Sequence, residues 1–142
     1  MPFSFQSPEL DAWANGFPVM LAHAGVALLI LAVASALYAF LTPNREIALI
    51  RDGNPAAAVS FGGVMVSLAM PLAFSLGASS AWVEIGLWGA ATAIVQLFLF
   101  WLVDLIFFGL PQRIREGDVS AAVMMTGARL AVAGILAAAV SI

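Results

Sequence analysis

Four long apolar segments, separated by short polar stretches, dominate the pattern of the chain. They cover residues 19–41, 55–76, 83–108 and 119–142. Each is long enough to cross the hydrocarbon core of a bilayer as a helix. A helix is the expected spanning structure, because lipid offers no partner to free backbone groups and no alternating barrel pattern is present. The fourth segment contains Arg129, which is costly inside a membrane, although a packed bundle can shelter one arginine.

The positions of the arginines predict the orientation of the chain. Arg45 and Arg51 lie between the first and second segments, and Arg113 and Arg115 lie between the third and fourth. Loops that carry arginine tend to remain in the cytoplasm. We therefore expect both of these loops on the cytoplasmic side and both chain termini on the external side.

A second pattern is an internal repeat with an offset of 64 residues. Residues 50–59 read Ile-Arg-Asp-Gly-Asn-Pro-Ala-Ala-Ala-Val, and residues 114–123 read Ile-Arg-Glu-Gly-Asp-Val-Ser-Ala-Ala-Val. We interpret this as the duplication of a two-helix unit, which gives repeats over residues 15–78 and 79–142 after an external tail of residues 1–14. Because each unit crosses the membrane twice, the two repeats share one orientation, and the axis relating them runs along the membrane normal.

The repeated string is interpreted first as the turn at which the chain re-enters the membrane. Its glycines permit a tight backbone turn, Asn54 and Asp118 are suited to cap the helices that follow, and the arginines reach the lipid headgroups. Residues 43–50 before the first turn are predicted to form a short interfacial helix. Ligand binding by the string is the alternative. The turn residues are Arg51, Gly53, Asn54, Arg115, Gly117 and Asp118.

Taken together, these features resemble the bacterial inner-membrane family catalogued as domain of unknown function 350. The resemblance rests on the four spans, the duplicated Ile-Arg-x-Gly-Asn/Asp-x-x-Ala-Ala turn and the pair Trp88-Gly89, and it covers nearly the whole chain apart from the tail. It implies a bacterial multi-pass inner-membrane protein with no established activity, and it supplies no catalytic residue. In such a protein, the external side expected for both termini from the arginine pattern is the periplasm. Family members are often encoded beside membrane-stress proteins of the phage-shock type and ATP-grasp ligase-like proteins, which implies a possible membrane-stress partner.

Polar side chains inside the apolar segments are candidates for function. Four of them follow the third segment at multiples of four residues and wind around its helix as a ridge. The ridge consists of Glu84, Thr92, Gln96 and Asp104. Asp104 lies about 9 Å from the cytoplasmic end of its helix, Arg129 lies about 16 Å from the same side, and the two side chains lean toward each other. We predict an intramembrane Asp104–Arg129 ion pair, either a structural salt bridge or part of a gate or ion path.

Composition narrows the chemistry further. The chain has 142 residues, of which 63% are hydrophobic and 9% charged, with five Arg, one His, no Lys, no Cys and a net charge of −3. These values exclude a soluble domain, a basic surface for nucleic acid, disulfides, thiolate catalysis and the familiar zinc ligand sets. We therefore expect no enzyme, no cofactor and no metal site.

Two functional hypotheses follow from these observations. The first is a self-associating scaffold or partner subunit in envelope or membrane-stress maintenance, because small residues recur at helix-packing spacing, as at Ala58 and Gly62. The alternative is an oligomeric ion or small-solute channel, or passive transporter, lined by the ridge of the third segment. Phe40 and Met65 occupy the positions 64 residues before the predicted ion pair, which argues against a symmetric pore within one chain.

Overall fold

Four long helices and two short ones make up the chain in the computed structural model, which describes residues 7–43 and 45–141. The long helices are α1 (Pro8–Leu41), α3 (Pro55–Ala78), α4 (Trp82–Ile106) and α6 (Val119–Val140), and the short ones are α2 (Glu46–Arg51) and α5 (Leu110–Arg115). All four long helices are long and apolar enough to cross a membrane, and no strand occurs within the described ranges. The predicted all-α membrane protein with four spans is confirmed.

The first helix begins eleven residues before the predicted segment, at residue 8 instead of 19. The Ser7 side chain accepts a hydrogen bond from the Leu10 amide, and Pro8 occupies the first helical position, where its missing N–H is harmless. Hydropathy alone misses this polar first turn. Part of the predicted tail over residues 1–14 is therefore helical, while residues 1–6 lie outside the described part of the chain.

The two short helices lie in the two arginine-bearing loops. A short helix was predicted over residues 43–50, and the structure has α2 there, beginning at residue 46 and ending at residue 51; residue 44 is outside the described residues. Its location at the membrane interface stays a prediction, and α5 was not predicted. Helix α5 begins 64 residues after α2 (110 − 46), and α6 begins 64 residues after α3 (119 − 55). These offsets equal that of the sequence repeat; the duplication itself stays a prediction.

Both re-entry turns use a glycine in the left-handed region of backbone space. Gly53 has φ 85° and Gly117 has φ 91°, a conformation that other residues adopt only with strain. Each glycine is followed by the residue that caps the next long helix, Asn54 for α3 and Asp118 for α6. The predicted turn and cap roles of these residues agree with the observed geometry.

Helix α3 occupies the centre of the bundle and contacts every other helix, most extensively α6, while α1 packs along α4. The closest approaches occur at two glycines. A Cβ atom at Gly63 would lie 2.5 Å from the Thr126 hydroxyl oxygen on α6, and a Cβ atom at Gly89 on α4 would lie 2.9 Å from Ile30 on α1 and 2.9 Å from Leu72 on α3. A side chain at Gly63 would force the Thr126 side chain, including its Cβ atom, to move, whereas at Gly89 the neighbouring atoms are methyl ends that can shift more easily.

Candidate functional site: a buried ion-pair cluster

Arg129 of α6 is the centre of a polar cluster inside the bundle, and only 1% of the residue is exposed. Its Nη2 donates to Oδ1 of Asp104 on α4 at 2.7 Å, and its Nη1 donates to the hydroxyl of Ser60 on α3 at 3.0 Å. The structure therefore brings together the two residues of the predicted ion pair. Burying a guanidinium without a partner costs several kcal/mol, and these two contacts offset that cost.

Two aromatic rings cover the guanidinium of Arg129. Its central carbon lies 5.3 Å from the ring centroid of Tyr38 on α1 and 5.8 Å from that of Phe100 on α4. The two rings meet edge to face, with their centroids 6.3 Å apart. Both distances are within the range of cation–π attraction, which is strongest where the cation is shielded from water.

A second carboxylate, Glu46 of α2, completes the cluster and was missed in the sequence. It is 2% exposed although it begins a short interfacial helix. The hydroxyl of Ser60 donates to Glu46 Oε1 at 2.9 Å, and the hydroxyl of Tyr38 donates to the same oxygen at 3.4 Å. The other oxygen, Oε2, has no hydrogen-bond partner among the described residues.

The protonation of Glu46 is governed by its burial. Burial raises the pKa of the Glu46 carboxyl, and the charge of Arg129 and the hydrogen bond from Ser60 lower the pKa by less. One arginine is thus shared between two carboxyl groups, Asp104 and Glu46. The Glu46 carboxyl therefore binds its proton more strongly than an exposed glutamate does.

Five helices each contribute one polar side chain to this cluster. The first predicted repeat supplies Tyr38, Glu46 and Ser60, and the second supplies Asp104 and Arg129. The residues 64 positions away are all apolar: Leu102, Leu110, Met124, Phe40 and Met65. This difference between the predicted repeats could have identified Glu46 and Tyr38 from the sequence. Each is a polar residue where the other repeat has a leucine, which indicates a role specific to one repeat.

The predicted ridge of α4 does not form a continuous polar lining. Glu84 is exposed at the start of the helix, whereas Thr92 and Gln96 are buried. The Thr92 hydroxyl donates to the Gly89 carbonyl at 3.0 Å. Two of the four ridge residues are therefore inside the protein, and the hydroxyl of one of them is bound to its own helix.

Gln96 has a distinct structural task. Its Nε2 donates to the Ser67 carbonyl on α3 at 2.7 Å. Pro71 lies four residues after Ser67 in the same helix and has no N–H to donate to that carbonyl. The side chain of Gln96 therefore supplies the hydrogen bond that Pro71 removes from α3, which explains an amide at this depth.

The turn residue Asn54 links the two arginine-bearing loops. Its Oδ1 accepts from the Ala57 amide at 3.1 Å, as an N-cap does. Its Nδ2 donates to the carbonyl oxygens of Ile114 and Arg115, at 3.0 and 3.2 Å. Asn54 thereby caps α3 and satisfies carbonyls at the end of α5, while the side chains of Arg51 and Arg115 are exposed.

The matching residue Asp118 caps α6 from a more exposed position. Its Oδ1 accepts from the amide of Ser120 at 2.9 Å, and its Oδ2 accepts from Nε of Arg113 at 2.8 Å. Hydrogen bonds from Ser120 and Arg113 lower the pKa of Asp118 to about 2. The turn motif thus serves helix capping at both sites, and no bound group is needed to account for its residues.

Asp104 is the member of the cluster that is most accessible from outside. The Asp104 side chain is 21% exposed and lines a cleft of about 350 Å³ together with the end of α1 and the neighbouring face of α4. The other residues lining the cleft are Tyr38, Leu41, Thr42, Pro43, Leu97, Phe98 and Trp101. The cleft therefore gives access to the buried cluster at Asp104.

Comparison with known proteins gives the family. The family described as Domain of Unknown Function (DUF350) matches residues 12–140. The chain is 30% identical over 107 residues to the UPF0719 inner membrane protein YjfL of Escherichia coli strain K12. The aligned residues cover 75% of this chain and 80% of the relative. The same protein of Escherichia coli O157:H7 matches equally. No solved structure shows a significant match.

The relatives and the fold agree on the kind of protein. A homologue in the inner membrane and four apolar helices indicate a multi-pass inner-membrane protein. The family match extends over nearly the whole described chain, as the sequence resemblance predicted. The chain belongs to the DUF350 family.

Proposed function

We propose that this protein is a non-catalytic subunit of the inner membrane that associates with copies of itself and serves as a scaffold or partner subunit in envelope or membrane-stress maintenance. Small residues on the outside of the bundle carry the proposal. Gly62 on α3 and Gly127 on α6 are exposed, and no described atom would lie within 4 Å of a Cβ atom at either. In lipid, such residues let helices approach closely, so these positions favour a helix from outside the chain.

The chemistry of the cluster supports a structural role. Arg129 uses both terminal nitrogens to join α3 and α4, and Gln96 repairs the backbone of α3. Polar groups that would be costly in lipid thus fix one arrangement of the helices. A bundle held in this way suits a scaffold that presents fixed surfaces to its partners.

The proposal is tested by counting copies in lipid. The labelled protein is reconstituted at decreasing protein-to-lipid ratios, and photobleaching steps are counted for single complexes. We expect several copies per complex in the unaltered protein and fewer in Gly62→Leu, because leucine blocks close approach. Gly16→Leu is the matched control, since Gly16 is also an exposed helical glycine with open space around it. Single copies at every ratio would contradict self-association.

The partner role needs a separate test. The protein is isolated from native membranes with a mild detergent, and the molar ratio of any co-purified membrane-stress protein is measured. A fixed ratio that survives dilution and salt supports a partner subunit. Purification of the protein alone, under conditions that preserve its oligomer, would contradict the partner role and leave self-association standing.

Proton or ion passage is a second candidate, and one observation favours it. Ser60, Ser67 and Ser75 of α3 are each 0% exposed, and their spacing of seven and eight residues places them on one face, about 10–12 Å apart. The hydroxyls of Ser67 and Ser75 have no partner among the described residues. This row extends from the cluster along the helix that crosses the membrane, as polar groups do in proton relays.

Passage is tested in proteoliposomes that contain a pH-sensitive dye. Under an imposed proton gradient, the candidate predicts dye acidification in the unaltered protein and a loss of at least tenfold in Ser67→Ala. Ser79→Ala, at the exposed end of α3, serves as the control. Equal leak in empty and protein-containing vesicles would remove this candidate.

A further inference from the structure

The contact between α3 and α6 uses different faces of the two helices. On α3 it involves Ser60 and Gly63, and on α6 it involves Thr126 and Arg129, since Arg129 donates to Ser60 and Thr126 packs on Gly63. A two-fold arrangement of equal halves would instead use the same positions of both helices. The two hairpins, α1 to α3 and α4 to α6, therefore meet head to tail.

In a head-to-tail contact, each hairpin uses one face, and the face that the other hairpin uses remains on its outside without a neighbour. An offset of 64 residues relates Gly127 to Gly63 and Gly62 to Thr126. Both of these outer glycines are exposed, with no described atom within 4 Å of an added Cβ atom. The close contact between Gly63 and Thr126 thus lies inside the chain, and the equivalent outer positions, Gly127 and Gly62, have no neighbour.

The contact between α4 and the first hairpin repeats in the same way. Gly89 packs on Ile30 and Leu72, each 2.9 Å from an added Cβ atom. The residues 64 positions away are identical in type, namely Gly25, Ile94 and Leu136. Here too the outer residues are unused: Gly25 has open space around it, and Ile94 is 69% exposed.

We infer that copies of this chain join by repeating the internal contact between its two hairpins. Gly25 of one copy receives Ile94 and Leu136 of the next, and Gly127 meets Gly62. The inference rests on the self-association proposed above and on the predicted duplication, and it adds the surfaces and their order. Because both hairpins are predicted to share one orientation, repetition is a rotation about the membrane normal, and a ring forms where successive rotations add up to a full turn.

The chemistry of the outer faces suits a second copy. Every polar member of the internal cluster has an apolar residue 64 positions away; Met65 corresponds to Arg129, and Met124 corresponds to Ser60. Met65 is 41% and Met124 is 51% exposed. Contact between copies therefore needs no buried charge, and glycine supplies the close approach that drives helix association in lipid.

Cysteine cross-linking tests the inference directly, since the natural chain has no cysteine. Differently tagged copies carrying Gly62→Cys and Gly127→Cys are expressed together and oxidised in the membrane. At the internal contact, a Cβ atom at Gly63 would lie 3.0 Å from Thr126 Cβ, so the equivalent cysteines would be within disulfide reach. We expect a mixed dimer only when both variants are present, and a ladder beyond the dimer when one chain carries both cysteines. A copy with Gly16→Cys is the control.

A second measurement tests whether large side chains at the outer glycines block self-association. Gly25→Leu and Gly127→Leu point into open space in the single chain, so folding is preserved while self-association falls at least tenfold; Gly16→Leu leaves it unchanged. Cross-links between like positions that stop at a dimer would overturn the head-to-tail order and leave self-association standing. A monomer without cross-links would overturn both.

Discussion

Residues 64 positions apart in the two hairpins differ most in polarity where one residue faces the other hairpin and the second residue faces outward. Arg129 is 1% exposed and Phe100 is buried beside it, whereas Met65, the counterpart of Arg129, is 41% exposed. Asp104 meets Arg129, whereas its counterpart Phe40 is 89% exposed. At these two pairs of positions, the charged residue is the one that another helix covers and neutralises. The comparison teaches that, at these positions 64 residues apart, the residue covered by another helix is the polar one and the residue facing outward is apolar.

The two re-entry turns show the same rule at smaller scale. Asn54 and Asp118 both cap a long helix. The loop at α5 covers Asn54, and its amide donates to two carbonyls there, which a carboxylate could not do. Asp118 has no such cover and takes Arg113 as its partner. The turn that faces backbone carbonyls has an amide, Asn54, and the turn that faces an arginine has a carboxylate, Asp118.

The largest effect is expected from giving Arg129 the residue of its counterpart. Arg129→Met leaves Asp104 and Glu46 inside the bundle without their cation, which should lower the free energy of unfolding by about 3–5 kcal/mol. Unfolding in mixed detergent micelles measures it. Met65→Leu at the outer position is the matched control and should change stability by less than about 1 kcal/mol. Equal effects at the two positions would refute the contrast between covered and outward faces.

The next effect concerns the inner glycine. Gly63→Ala places a methyl group 2.5 Å from the Thr126 hydroxyl oxygen, and this overpacking should cost about 1–3 kcal/mol. Thr126→Gly in the same chain copies the outer position Gly62 and should restore part of the loss. Gly127→Ala should leave the unfolding of the single chain unchanged. A tolerated Gly63→Ala would show that α3 and α6 are not closely packed.

A smaller effect isolates the link between Gln96 and Pro71. Gln96→Leu leaves the buried Ser67 carbonyl without a donor and should cost about 1–3 kcal/mol. In a Pro71→Ala chain the helix supplies its own N–H, so the same change should cost much less. Unfolding free energies of the four chains measure the coupling. Equal costs in both backgrounds would show that Gln96 does not replace the donor lost at Pro71.

The smallest effects separate two carboxyl groups by pH. The raised pKa of Glu46, which faces Arg129, Ser60, Tyr38 and Asp104, means that its contribution to stability is lost as pH rises through that value. Asp118, with a pKa of about 2, contributes above the unfolded value of about 3.9 and loses its contribution as pH falls toward 2. Stability against pH is measured for Glu46→Gln and Asp118→Asn. Each variant should remove one trend only.

Sequence patterns predicted the features that are determined by the membrane environment or by the geometry of a single helix. Hydropathy identified the four spans because the bilayer requires them, and depth along the helices brought Asp104 to Arg129. The burial of Glu46 could not be predicted, since it depends on which side of a six-residue helix packs on α3. The role of Gln96 required knowing that its helix lies beside Pro71. Contacts between distant helices, not local periodicity, decide these cases.

The most direct test of the account is the coupling between Asp104 and Arg129 across the two helices. Unfolding free energies in lipid bicelles are measured for Asp104→Ala, Arg129→Ala and the double variant, beside Phe40→Ala and Met65→Ala at the outward positions. The account predicts an interaction of about 1–3 kcal/mol for the inner pair and additive effects for the outer pair. Additive effects for Asp104 and Arg129 would contradict it.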